Sequence, residues 1–132
     1  MRPAIINVMD KAARRAGRDL TRDFGEVEQL QVSRKGAADF VSAADTRAEE
    51  TLHYELMRAR PDFGFLGEEG GAQEEGDGVH RWIVDPLDGT TNFLHGLPQF
   101  AISIALEERG QIVAGIVYEP LRDELFWAEK NN

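Results

Sequence analysis

The residues with the most chemistry lie in the segment Trp82-Ile-Val-Asp-Pro-Leu-Asp-Gly-Thr-Thr-Asn-Phe93. An apolar strand runs into Asp85, Pro86 removes an N–H donor and stiffens the turn, and Asp88 follows three residues later. Two carboxylates at that spacing on a stiff turn can converge on a cation. Gly89-Thr90-Thr91 then adds a residue with no side chain, two hydroxyls and free backbone N–H groups, opening what reads as a short helix. Such an N-terminus attracts phosphate. Acidic ligands beside an anion-binding turn make chemical sense when Mg²⁺ bridges them to phosphate oxygens. Taken alone, Asp85 and Asp88 also read as an Asp-Pro turn followed by a helix cap. The order strand, paired acids, Gly and two Thr favours the metal-and-phosphate reading.

Other residues extend or compete with that cluster. Gly67-Glu68-Glu69 follows a short apolar strand and could bring a third carboxylate, or simply form a solvated acidic loop. Asp45 could be a more distant member, or could sit in the first turn of a helix where the dipole favours an acid. His53, His80 and His95 have no His partner at ligand spacing and read as surface or packing residues. Trp82 and Trp127 fall on strands and read as core, while Arg34-Lys35 either faces the anionic site or forms a solvated basic turn.

The elements that must position these residues are legible from periodicity. Ile5, Met9, Ala12, Ala13, Ala16, Leu20, Phe24 and Val27 recur at steps of three and four, predicting a long helix over 4–30. After a polar stretch and the pair Phe40–Val41, a second helix is expected from Ala44, Ala48, Leu52, Leu56 and Ala59, with Ser42 as N-cap and Pro61 as stop. Phe63 to Leu66 reads as a short strand, and Gly67 to Gly78 as an acidic, Gly-rich loop that should be mobile unless something binds it. Arg81–Val84 reads as a strand. Phe100–Leu106, Ile112–Tyr118 and Glu124–Ala128 read as a meander with a hairpin at Glu107-Glu-Arg-Gly110. The expected fold is α+β, with two long helices packed on an antiparallel β-meander and the site at the end of the Trp82–Val84 strand.

Composition narrows the classes. At 132 residues the chain is one domain, with no internal repeat and no dividing linker. A net charge of −9 argues against a sequence-independent nucleic-acid binder and suits divalent cations. The absence of Cys excludes disulfides, thiolate zinc sites and cysteine nucleophiles. The mostly apolar stretch Phe100 to Leu106, which Ser103 interrupts, is far too short to span a bilayer. Asn7 and Asp10 interrupt the first apolar stretch, so no secretory signal is read. Asp10, Asp19 and Asp23 argue against an Arg-rich mitochondrial presequence. A cytoplasmic protein without membrane or direct nucleic-acid contacts is the expectation.

Three segments together, Gly67-Glu68-Glu69, Trp82 to Phe93 and Asp39-Phe-Val-Ser-Ala-Ala-Asp45, resemble the inositol monophosphatase family of Mg²⁺-dependent, lithium-sensitive phosphatases. The Asp-Pro-Leu-Asp-Gly-Thr-Thr-Asn string is highly specific, and the resemblance covers nearly all of 1–132. It implies a layered sugar-phosphatase fold, a small phosphate monoester as substrate (an inositol, sugar or nucleotide phosphate) and two or three Mg²⁺ ions. By resemblance, Glu68, Asp85 and the Leu87 carbonyl hold one ion, and Asp85 with Asp88 contributes to a second. Glu68 and Asp45 lie near a weaker third position. Thr90 and Glu68 would orient and deprotonate the attacking water. The backbone of Gly89, Thr90 and Thr91 would cradle the phosphate, and Asp88 would also touch a substrate hydroxyl.

Family members are longer, and their second half brings another metal-binding Asp and most contacts to the alcohol part of the substrate. The 132 residues are therefore expected to be an N-terminal metal-binding half, with little activity alone and with an exposed sheet face. A homodimer is a family expectation only. Two other readings compete. Haloacid-dehalogenase-type phosphatases also place acids after a strand, but with one intervening residue; here there are two, including Pro86. A non-catalytic partner-binding role in transcription is the alternative from another class, since some bacterial relatives act there.

Overall fold

A computed structural model of the chain describes residues 2–27, 34–68 and 73–130. Two long helices, α1 (Ala4–Val27) and α2 (Arg34–Ala59), lie on one face of a six-stranded sheet. The strands are β1 (Gly64–Leu66), β2 (Gln73–Glu74), β3 (His80–Asp88), β4 (Ala101–Glu108), β5 (Gln111–Glu119) and β6 (Glu124–Glu129), with α3 (Thr90–Leu94) between β3 and β4. The sheet order is β2-β1-β3-β4-β5-β6. Every pairing is antiparallel except β1 with β3, which run parallel.

The α1 stripe forms as its periodicity predicts, with Ile6 rather than Ile5 completing the buried set of Met9, Ala12, Ala13, Ala16 and Leu20. Small side chains in mid-helix let the backbone approach the sheet. At Gly17 an added Cβ would meet the Tyr118 ring at 2.9 Å. The helices are also joined through charge: Asp23 is buried on α1 and accepts a 2.9 Å hydrogen bond from Arg47 of α2. A buried carboxylate needs such a partner.

α2 differs from its expected start. It begins at Arg34, so Ser42 lies inside the helix, where its carbonyl accepts from the Thr46 hydroxyl, and is not the N-cap. The physical reason is Ala37, which is buried and begins the apolar stripe one turn before Val41 and Ala44. Two further expectations are corrected. The acidic loop is in part ordered, because Gln73–Glu74 pairs with Phe65–Leu66 as β2. Trp127 is not core but 43 % exposed, because it lies on the edge strand β6. The hairpin after β4 turns through Arg109 and Gly110, both at positive φ, the backbone that two-residue hairpins use.

Along β4 and β5, Ile102, Ile104, Ala114, Ile116 and Tyr118 face the helices and are buried. Trp82 and Val84 do the same on β3, as does Phe65 on β1. Beneath α1, Phe24, Phe93 and Phe100 form a ring cluster with centroids 4.9–5.5 Å apart. The opposite sheet face is exposed as expected, with Val117 and Phe126 bordering a shallow apolar hollow of 540 Å³. That hollow bears no cluster of acids.

β3 does not end at Val84 but continues through the motif to Asp88. Asp85 pairs with Ser103 and Asp88 with Ala101, so three steps on β3 oppose two on β4. The extra residue is a β-bulge, a position where proline is tolerated, and Pro86 lies within it.

Candidate active site

The bulge decides where the acids point. Along β3 the even residues Trp82, Val84 and Pro86 face the helices and are buried. Beyond the extra residue the alternation changes: Leu87 is buried and Asp88 is exposed. Asp85, half-buried, and Asp88 therefore both turn away from the helices, although their numbers have opposite parity. That the two acids share one side of the strand is a property of this irregularity.

Hydrogen bonds then fix the turn. The Leu87 N–H donates to Asp85 Oδ1 at 3.2 Å, and the Thr90 hydroxyl donates to the Leu87 carbonyl at 3.0 Å. Gly89 has φ 94° and begins α3 without a side-chain cap. An added Cβ there would lie 2.8 Å from the Gln99 carbonyl oxygen, so both conformation and space require glycine. Asp88 and Gly89 open onto a 280 Å³ cleft that Asn92 and Glu119 also line. Sequence alone does not single out Glu119, because as the last residue of β5 it lies far along the chain from the motif.

Glu68 reaches the same end of the sheet by another route. Since β1 and β3 are parallel and Leu66 pairs with Ile83, Glu68 and Asp85 each emerge two residues beyond the last paired position. The outer carboxyl ends of parallel strands are where ligands of open sheets bind. Glu68 is exposed, and its backbone N–H donates to Glu49 Oε1 at 3.1 Å. Glu49 is a second residue at this end of the sheet that the sequence does not single out. It belongs to no motif and can be found only from its placement on α2.

Asp45 is half-buried on α2, beside the buried Ala44. It lies eleven residues into the helix, so it is not the first-turn acid that the sequence allowed. Glu69 and the side chains of Arg34 and Lys35 lie outside the described residues. His53 bonds Glu74 at 2.9 Å and packs against Phe65, and His80 bonds Asp77 at 2.8 Å; both serve local structure.

Hard oxygen donors of this kind, carboxylates and a backbone carbonyl, fit Mg²⁺, which commonly takes one or two carboxylates and completes its shell with water and phosphate. Among the described residues no three His, Asp or Glu side chains are gathered closely enough to hold a metal by themselves. Asp85, Leu87, Asp88 and Thr90 are brought together by one turn, whereas Asp45 and Glu68 come from α2 and the end of β1.

A helix-backed, mostly antiparallel sheet with an acidic, glycine-closed turn at a strand end defines a layered sugar-phosphatase-type fold. Residues 2–132 match the inositol monophosphatase family model, and the chain belongs to that family. It is 63 % identical over 98 % of its length to a protein of Mesorhizobium japonicum named inositol-1-monophosphatase. It is 46 % identical, again over 98 % of its length, to one of Xylella fastidiosa named Nus factor SuhB. The crystal structure of the extragenic suppressor protein suhB from Bartonella henselae superposes with a TM-score of 0.84 at 55 % identity over 96 % of the chain. The chain covers 48 %, 46 % and 48 % of these three, about half of each. Among the described residues no helix is long and apolar enough to cross a membrane.

Proposed function

We propose that the chain supplies the metal-binding half of a Mg²⁺-dependent phosphomonoesterase acting on inositol monophosphate or a related small sugar or nucleotide phosphate. The observation that carries this reading is the bulged turn, where Asp85 and Asp88 share one side and the Asp85–Leu87–Thr90 hydrogen bonds set the backbone. Glu68, Asp85 and the Leu87 carbonyl would hold one ion, Asp85 and Asp88 a second, and Asp45 with Glu68 a weaker third. When bound, Mg²⁺ supplies Lewis acidity to the phosphoryl group and makes a water acidic enough to attack near neutral pH.

The remaining steps belong to the protein. Thr90 already donates its hydroxyl proton to Leu87, so its oxygen is left to accept a hydrogen from the attacking water. Glu68 takes the proton as the P–O bond forms. The N–H groups of Gly89, Thr90 and Thr91 hold the phosphate oxygens, and Asp88 accepts from a hydroxyl of the alcohol. The released alcohol takes a proton from solvent as its ester bond breaks.

The test is phosphate release from a panel of inositol, sugar and nucleotide monophosphates by the protein as isolated, with and without Mg²⁺ and Li⁺. Turnover that needs Mg²⁺, falls with Li⁺ and disappears in Asp85→Asn supports the reading. The Nus factor names of several relatives favour a second reading, a partner-binding role in transcription. A cellular phenotype unchanged by Asp85→Asn would select that role.

A further inference from the structure

Glu49 lies one helical turn beyond Asp45 on α2, and its carboxylate sits against the chain where β1 ends. β1 is held by the sheet only as far as Leu66, so the backbone that carries Glu68 has left the ladder. There the Glu68 N–H donates to Glu49 Oε1 at 3.1 Å. The same carboxylate fills the space above Gly67: an added Cβ would clash with Oε1 and lie 2.7 Å from Oε2. Gly67 does not have positive φ, so its lack of a side chain answers to the Glu49 carboxylate rather than to backbone conformation.

We infer that Glu49 is a positioning residue: by accepting the Glu68 N–H over Gly67, it sets the point from which the Glu68 carboxylate reaches toward the metal and the attacking water. The inference rests on the phosphatase reading above. An ionised acceptor on a backbone N–H is a strong, directional bond, and groups that orient a metal ligand commonly change affinity by 10–100-fold when removed. A glutamine at 49 keeps a carbonyl oxygen for the N–H, whereas an alanine keeps nothing. An alanine at 67 leaves Glu49 intact but pushes its flexible carboxylate away.

The experiment compares wild type with Glu49→Gln, Glu49→Ala and Gly67→Ala in the protein as isolated. It measures Mg²⁺ affinity by calorimetry, the separate effects on kcat and KM, and the amide proton shift of Glu68 by NMR. Expected are a loss of Mg²⁺ affinity of about tenfold in Glu49→Ala and in Gly67→Ala, with an upfield shift of the Glu68 amide. Glu49→Gln should stay within about threefold of wild type and keep the amide shift; kcat should fall more than KM changes wherever the bond is lost. If wild type binds Mg²⁺ and all three variants bind it equally, the positioning role is overturned while the phosphatase reading stands. Wild type that binds no Mg²⁺ defeats the phosphatase reading and this inference with it. Should Glu49→Ala fail to fold, the opposite outcomes expected of Glu49→Gln and Gly67→Ala still decide.

Discussion

Arg14 of α1 and Asp123 of the turn between β5 and β6 form an ion pair across 109 residues of chain, and the Tyr118 hydroxyl donates to the same carboxylate at 2.9 Å. Asp10 takes the other side of the guanidinium. Burial raises the Tyr118 phenol above its ordinary value of 10.0, and the hydrogen bond to Asp123 raises it further. The folded value exceeds the unfolded one, so this contribution to stability is complete below about pH 10 and is lost as pH rises through the folded value. In Asp123→Ala the Tyr118 titration should move back toward 10 without reaching it, because burial remains. Spectrophotometric titration of the tyrosines checks this.

At the other end of the sheet Asp77 caps its own turn, accepting from the Val79 and His80 N–H groups at 2.8 Å and bonding the His80 ring at 2.8 Å. The His80 ring contact, followed by the two backbone bonds, holds its carboxyl at about 2 against an ordinary 3.8. A depressed carboxyl stabilises above its unfolded value, so this contribution is present above about pH 4 and disappears as pH falls toward 2. Asp77→Asn should flatten that part of the acid limb. Thermal unfolding measured from pH 4.5 down to 2 reads it directly.

Gly89→Ala should destabilise by about 2 kcal/mol, from a left-handed backbone and a Cβ pressed on the Gln99 carbonyl. Gly78, also at positive φ but open to solvent, serves as the control and should lose less. Urea unfolding of the two variants separates conformational strain from the clash.

Phe93 is fully buried in α3 and contacts the rings of Phe24 and Phe100. Phe93→Ala should cost about 3–5 kcal/mol. Because α3 begins at Thr90, a partly folded variant should also lose Mg²⁺ affinity, which calorimetry would register alongside the denaturation curve.

Metal linkage gives a test that does not depend on turnover. Mg²⁺ at 100 times its dissociation constant should raise the unfolding free energy by about 2.7 kcal/mol. Asp85→Asn should abolish most of that gain while leaving unfolding without metal little changed. Paired urea curves with and without Mg²⁺ provide the comparison.

The helices and the meander were legible because their apolar residues recur with one period over many residues, as in Met9 to Val27 and Ile102 to Leu106. The turn from Asp85 to Thr91 was legible for a different reason: its residue types are rare in combination. What escaped was whatever depends on a distant neighbour. Ala37 reads as part of a polar stretch until its burial is known, and Trp127 reads as core until β6 proves to be the edge. Glu49 and Glu119 carry no local signal. Each matters through a backbone N–H or a cleft that another element supplies.

The one-residue bulge between Asp85 and Asp88 makes chain length at Pro86–Leu87 as consequential as residue identity. Deleting either residue would restore an even ladder with the two acids two positions apart and still on one side, but it would shorten the turn that the Asp85–Leu87–Thr90 hydrogen bonds span. An insertion at the Arg109–Gly110 hairpin would only lengthen a solvent loop. Insertions and deletions should therefore be excluded at the first position and tolerated at the second. In this fold the site is protected less by its individual letters than by its count.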